Sequence, residues 1–86
     1  MLIKFEQEAQ KDFDHFYKRD KQKFKRIIQL IEDIQKNSCE GIGKPEKLKY
    51  NLEGCWSRRI DKANRLVYKM EKNTLRILAC RYHYDK

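Results

Sequence analysis

Glycine and proline are scarce in this chain, 3 and 1 of 86 residues. Two of the glycines and the proline fall together in Gly41-Ile42-Gly43-Lys44-Pro45. No linker, repeat or low-complexity tract is visible, so the length argues for a single domain over residues 1–86. No apolar run approaches the ~18 residues that a membrane span requires. The opening Met1-Leu2-Ile3-Lys4-Phe5 is too short for the apolar core of a signal peptide. Cys39, Cys55 and Cys80 form no CxxC pair, and any pairing leaves one over. That argues against a disulfide framework and a zinc knuckle and favours a reducing, cytosolic compartment. No Cys, His or acidic cluster has metal-ligand spacing, so neither metal nor other cofactor is expected. Gly41-Ile42-Gly43-Lys44 lacks the GxxxxGK[ST] pattern of a phosphate loop. Acidic residues are also in deficit: 13 Asp+Glu face 21 Lys+Arg, a formal charge of +8. Such an excess attracts polyanions, although charge alone does not choose between RNA, DNA, an acidic protein and anionic lipid.

What is present is enough apolar material, 40% hydrophobic and 12% aromatic, for a core, which speaks against a wholly disordered chain. Leu2 to Phe5 reads as a first or edge strand. Ala9, Phe13, Phe16 and Tyr17 then recur at helical spacing, with Glu6 and Glu8 at the start and Lys18 and Arg19 at the end, each suited to the helix dipole. Asp20 reads as the N-cap of a second helix. Its apolar stripe is Phe24, Ile27, Ile28, Ile31 and Ile34, and Asn37 is expected to stop it in the left-handed conformation. The Gly/Pro loop ends this αα-hairpin, and strands follow. Lys47 to Tyr50 is short. Trp56 to Asp61 alternates Trp56, Arg58 and Ile60 against Ser57, Arg59 and Asp61. Arg65 to Met70 alternates Leu66, Tyr68 and Met70 against Arg65, Val67 and Lys69. Lys72-Asn73 signals a hairpin turn. Leu75 to Tyr82 is long, mostly apolar and so expected to be central.

The order predicts an α+β domain: an N-terminal strand and an αα-hairpin packed on one face of a mainly antiparallel, twisted sheet. The other face is then expected to stay open, with Arg59 and Arg65 close together on it. Trp56 is expected in the core, and His15 is read as structural. Near the basic floor stand Glu46, Lys49, His83 and Tyr84. Metal-free cleavage of RNA needs a base for the 2′-OH, an acid for the departing 5′-oxygen, and cations for the growing phosphate charge. Glu46, His83 and the arginines have the right types, and the planar guanidinium fork matches phosphate oxygens. On composition alone the case is weak: such residues are more often a solvated strand start, a surface histidine and arginines that are salt-bridged or bind phosphate.

Four segments carry a resemblance to a known family: Gly41-Ile42-Gly43-Lys44-Pro45-Glu46-Lys47-Leu48-Lys49, Trp56-Ser57-Arg58-Arg59-Ile60, Asn64-Arg65-Leu66-Val67-Tyr68 and Cys80-Arg81-Tyr82-His83-Tyr84. In order and spacing, over essentially the whole chain, they resemble the YoeB (or Txe) toxins of bacterial type II toxin–antitoxin modules, within the RelE-like superfamily. The resemblance implies a microbial-ribonuclease-like fold. It implies an mRNA endoribonuclease that cuts in the A site of the 70S ribosome and inhibits translation in the bacterial cytoplasm. It makes Glu46 the general base and His83 the general acid. Arg59 and Arg65 become phosphate-binding groups that stabilise the transition state. Tyr84 orients substrate or stacks on a base, and Lys49 is a supporting cation. It also implies a YefM-like antitoxin as partner, binding to operator DNA through the antitoxin complex as corepressor, and a possible homodimer. The last family segment usually closes the chain. Here Asp85 and Lys86 follow, and the negative charge beside Tyr84 is expected to weaken RNA contact or change how the terminus closes the site. Cys55 stands where bulkier residues are frequent and is assigned no function. Two alternatives of other classes remain: a catalytically silent, basic nucleic-acid-binding regulator, and a protein-binding module for an acidic partner.

Overall fold

In the computed structural model, residues 1–81 are described. The elements run β1 (Leu2–Phe5), α1 (Gln7–Arg19), α2 (Lys21–Lys36), β2 (Glu46–Lys47), a 3-10 turn at Tyr50–Leu52, β3 (Trp56–Arg59), β4 (Arg65–Glu71) and β5 (Thr74–Ala79). The strands form one sheet in the order β1-β5-β4-β3-β2. β1 runs parallel to β5, with Leu2 opposite Thr74, and the other pairings are antiparallel. This is the α+β architecture read from the sequence.

The helices close one sheet face. Ile27, Leu30, Ile31 and Ile34 of α2 are buried, an i, i+3, i+4, i+7 stripe that meets Ala9 and Phe16 of α1 and Leu66, Tyr68, Leu75 and Ile77 of the sheet. Leu30, absent from the expected stripe, lies at its centre, whereas Ile28, one residue off it, is 37% exposed. Phe13 bridges Phe5 and Phe24 at ring-centroid distances of 4.8 and 4.9 Å. Tyr17 is exposed at the rim, with the Lys21 ammonium 3.6 Å above its ring. Trp56 is half-buried against this core. His15 is exposed on α1, with its ring edge-on to Phe16. Cys80 donates to the Ala9 carbonyl, and burial pushes its thiol up to about 12.

The element ends show which local chemistry won. Asp20 caps α2 by accepting from the Lys23 amide at 3.2 Å. Asn37 does not adopt the expected left-handed stop. Its φ is −158°, and its side chain accepts from the Cys39 and Glu40 amides at 2.9 and 3.1 Å, so an Asx turn ends the helix instead. β2 covers Glu46–Lys47 and stops well short of Tyr50, because Tyr50 takes φ +61° and opens the 3-10 turn. β3 ends at Arg59, before the expected Asp61, whose carboxylate gathers the Ala63 and Asn64 amides at 2.8 Å each into a tight turn. β5 is interior but not central: β4 holds the middle of the sheet. β5 also ends at Ala79, and Tyr82 lies outside the described residues.

The second face is not open along its whole length. Leu48, Cys55 and Val67 are buried there, with Leu52, Leu78 and Ala79 against them. The 48–55 segment folds back over β4 and forms this small apolar cluster, which pattern reading missed because its members come from three separate stretches.

Candidate active site

The site is built where β2, β3 and β4 run side by side. Glu46 pairs with Ser57, and Arg59 with Arg65, as cross-strand partners. Strand alternation puts Ser57, Arg59 and Arg65 on the face away from the helices. Arg65 is not on an exposed floor, as expected, but is 6% exposed. Its Nε donates to Ser57 Oγ at 2.8 Å, and Nη2 donates to the Lys44 carbonyl at 3.4 Å and the Ser57 carbonyl at 3.5 Å. Burial of a guanidinium requires such acceptors, and Ser57 supplies two of them. Ser57 therefore belongs to the site, and no sequence signal beyond its parity with Arg59 pointed to it.

Beside this buried cation stands a more exposed anion. Glu46 Oε1 lies 3.4 Å from Arg65 Nη2, with the glutamate side chain 57% exposed and that of arginine 7%. A half-exposed pair of this kind adds only about 0–1 kcal/mol to stability. The carboxylate is thus open to solvent, while the guanidinium beside it is held by Ser57 and the Lys44 carbonyl. Arg59 is exposed, with its amide donating to the Gly43 carbonyl at 2.6 Å and its carbonyl accepting from Arg26 Nη2 at 3.3 Å. Lys49 is exposed and lines a neighbouring shallow hollow of about 380 Å³ with Lys47, Leu48, Tyr50 and Glu53. The structure therefore brings together Glu46, Arg65 and Arg59, while Lys49 lines the hollow with Lys47 and Tyr50. His83 and Tyr84 lie outside the described residues.

Arg58, on the opposite face of β3, is the residue whose importance alternation alone concealed. It was grouped with Trp56 and Ile60 on the core side, and it is fully buried there. A charged residue on an apolar face is itself a signal that partners must be found for it. One partner is Asp33 of α2, whose Oδ2 accepts from Arg58 Nη1 at 2.6 Å and from the Ile42 amide at 3.0 Å. Those hydrogen bonds, that from Arg58 first, hold the Asp33 carboxyl below the usual carboxylate range. The Tyr68 hydroxyl is shifted upward, mainly by burial.

The family described as the YoeB-like toxin of bacterial type II toxin–antitoxin systems matches residues 5–84. The chain is 45% identical to the toxin YoeB of Escherichia coli strain K12 over 84 residues, which is 98% of this chain and 100% of that protein. The toxin in a heterotetrameric YoeB–YefM complex from Staphylococcus aureus is 46% identical, superposes with a TM-score of 0.91, and shares 98% of this chain and 99% of its own. A YoeB dimer from the same organism gives a TM-score of 0.92 at 46% identity, over 98% of each chain. A match over nearly the full length in both sequence and shape places this chain in the YoeB family, as the toxin of a type II toxin–antitoxin system.

Proposed function

We propose that this toxin is a ribosome-dependent mRNA endoribonuclease that works by general acid–base catalysis. The observation that carries the reading is the placement of Glu46: a solvent-open carboxylate 3.4 Å from a buried, immobilised Arg65, whose cross-strand neighbour is the exposed Arg59. Glu46 takes the proton from the 2′-OH, and that oxygen attacks the adjacent phosphorus. Arg65 and Arg59 hold the phosphate oxygens as negative charge grows on them. His83 protonates the departing 5′-oxygen. The products are a 2′,3′-cyclic phosphate, or the 3′-phosphate derived from it, and a 5′-OH. Tyr84 orients or stacks on a base, and Lys49 adds positive charge along the RNA path.

The protein partners follow from the relatives: a YefM-type antitoxin, and a second copy of the toxin. The antitoxin complex binds operator DNA, and the toxin acts with it as corepressor in the bacterial cytoplasm. No helix among the described residues is long and apolar enough to cross a membrane.

Primer extension on mRNA after brief induction tests the reading. The parent should cut at codons held in the ribosomal A site. Glu46→Gln and His83→Ala should each lose about 10²–10⁴-fold in cleavage and relieve growth arrest. Thermal melts should show Glu46→Gln to be folded like the parent. Tight RNA binding with no scission would instead identify a silent regulator. No RNA affinity at all would identify a module built for an acidic protein.

A further inference from the structure

A desolvated guanidinium presents five N–H donors in a rigid fork, and each needs an acceptor. Around Arg58, two acceptors are side chains: Nε donates to the Tyr68 hydroxyl at 3.1 Å, and Nη1 to Asp33 at 2.6 Å. The rest are main-chain carbonyls of a single turn. Nη1 donates to Ile42 O at 3.2 Å, and Nη2 to Asn37 O at 2.7 Å and Glu40 O at 2.9 Å. The Tyr68 hydroxyl donates in turn to Ser38 O at 2.7 Å. Further along, Gly43 O accepts from the Arg59 amide and Lys44 O from Arg65. Between the end of α2 and the start of β2, the backbone therefore lays its carbonyls, one after another, on donors from β3 and β4. Gly41 permits the approach: its φ is +133°, and a Cβ there would lie 1.9 Å from Asp33 Oδ2. This turn has no regular structure of its own, and it ends on Glu46.

We propose that Arg58 is a positioning residue of the toxin's active site: its guanidinium, with the Tyr68 hydroxyl, clamps the 37–44 turn in the shape that delivers Glu46 onto Arg65. The inference rests on the reading of Glu46 as general base. A salt bridge serving only to join α2 to the sheet would need Asp33 alone. The three carbonyls and the relayed Ser38 contact add control over the path of the chain into the site. The clamp's own hydrogen bonds go to Asp33 and the turn rather than to the Arg59 or Arg65 guanidinium, so its loss acts first on where the carboxylate stands. A reacting group displaced by about 1 Å can cost about 100-fold in rate.

The test uses full-length Tyr68→Phe, which keeps the ring in the core and deletes the hydroxyl, and Arg58→Lys, which keeps the charge and loses the fork. Amide hydrogen exchange, binding to programmed ribosomes and single-turnover mRNA cleavage at saturating ribosome are measured well below each variant's thermal midpoint. Exchange across 38–44 should quicken by about fivefold to tenfold through local opening, the scale of one lost hydrogen bond, with rates in β4 and β5 following only the change in global stability. Cleavage should fall by about 10-fold to 100-fold while ribosome binding stays within about twofold. In Arg58→Ala, millimolar guanidinium should restore part of the cleavage, and potassium at equal ionic strength should not. Unchanged exchange across 38–44 overturns the clamp. Parent-like cleavage by the folded fraction of each variant overturns the positioning role and leaves Arg58 a stabilising residue only. A Glu46→Gln variant that cleaves like the parent overturns Glu46 as general base and the positioning role with it, and exchange still reports on the clamp itself.

Discussion

Arg58 and Arg59 are adjacent in β3, yet one faces the helices and is wholly buried while the other faces away and is exposed. The two sheet faces differ in the same way. Among the described residues, twelve buried ones form the core under the helices and three form the cluster on the other side, so the helix face carries most of their apolar burial. The other face carries Glu46, Arg59 and Arg65 beside that small cluster. The contrast teaches that residue type alone does not assign an arginine to chemistry or to architecture. The face it occupies, and whether its donors are all engaged by the fold, decide.

The contrast can be broken most forcefully at Arg58. Its replacement by Ala takes the guanidinium donors away from Asp33 and the turn carbonyls, and should cost about 3–5 kcal/mol, the usual result of removing one member of a buried charged network. That is a large part of the ~5–15 kcal/mol holding a small domain together, and urea melts will measure it. A loss below about 1 kcal/mol would contradict the assignment of Arg58 to architecture. Equal deletions on the two faces sharpen the comparison next. Leu66→Ala in the main core should cost about 3–5 kcal/mol, whereas Leu48→Ala should fall near 2 kcal/mol or lower, because the looser cluster around Leu48 can close over the gap. Chemical denaturation of the pair decides this, and equal losses would mean that the second cluster is as tightly packed as the first.

Acid exposes the same architecture more gently. Because the folded-state pKa of Asp33 is lowered, its contribution is present in full above the ordinary aspartate value of about 3.9 and is lost as pH falls through the folded value. The stability difference between the parent and Asp33→Asn should therefore shrink below about pH 4 and be constant above it. Melts over pH 2–6 show whether it does. The smallest effect on stability belongs to Arg59→Ala, expected within about 0.5 kcal/mol of the parent, since the variant keeps the amide that meets Gly43. Its consequence should lie in binding. Loss of one phosphate contact lowers the salt slope of RNA association by about one, and a titration across salt concentrations detects it.

Much of the fold was legible in the sequence because period and capping chemistry agree there. The stripe around Ile27 and Ile31, the cap at Asp20 and the hairpin turn at Asn73, with φ +43°, each rest on neighbouring residues. What the sequence concealed depends on contacts between distant residues. Asn37 looked like a left-handed stop because its type permits one, and only its side-chain bonds to Cys39 and Glu40 make it extended. Arg65 looked exposed because its strand alternates, but the Lys44 carbonyl and Ser57 close over it. At the site, the proximity of Glu46 to Arg65 could be expected from motif order. The role of Arg58 could not, because its partners are mostly carbonyls, which no side-chain pattern encodes.

The parallel pairing of β1 with β5 has a consequence for biogenesis. Leu2 finds its neighbour in Thr74, so a nascent chain cannot complete the sheet until synthesis has passed the fifth strand. Loop-closure entropy over that separation must be met before the edge strand docks. A polypeptide interrupted before Thr74 therefore lacks the strand against which its first four-residue strand is ordered, and the cell is not exposed to an assembled toxin while most of it is still being translated.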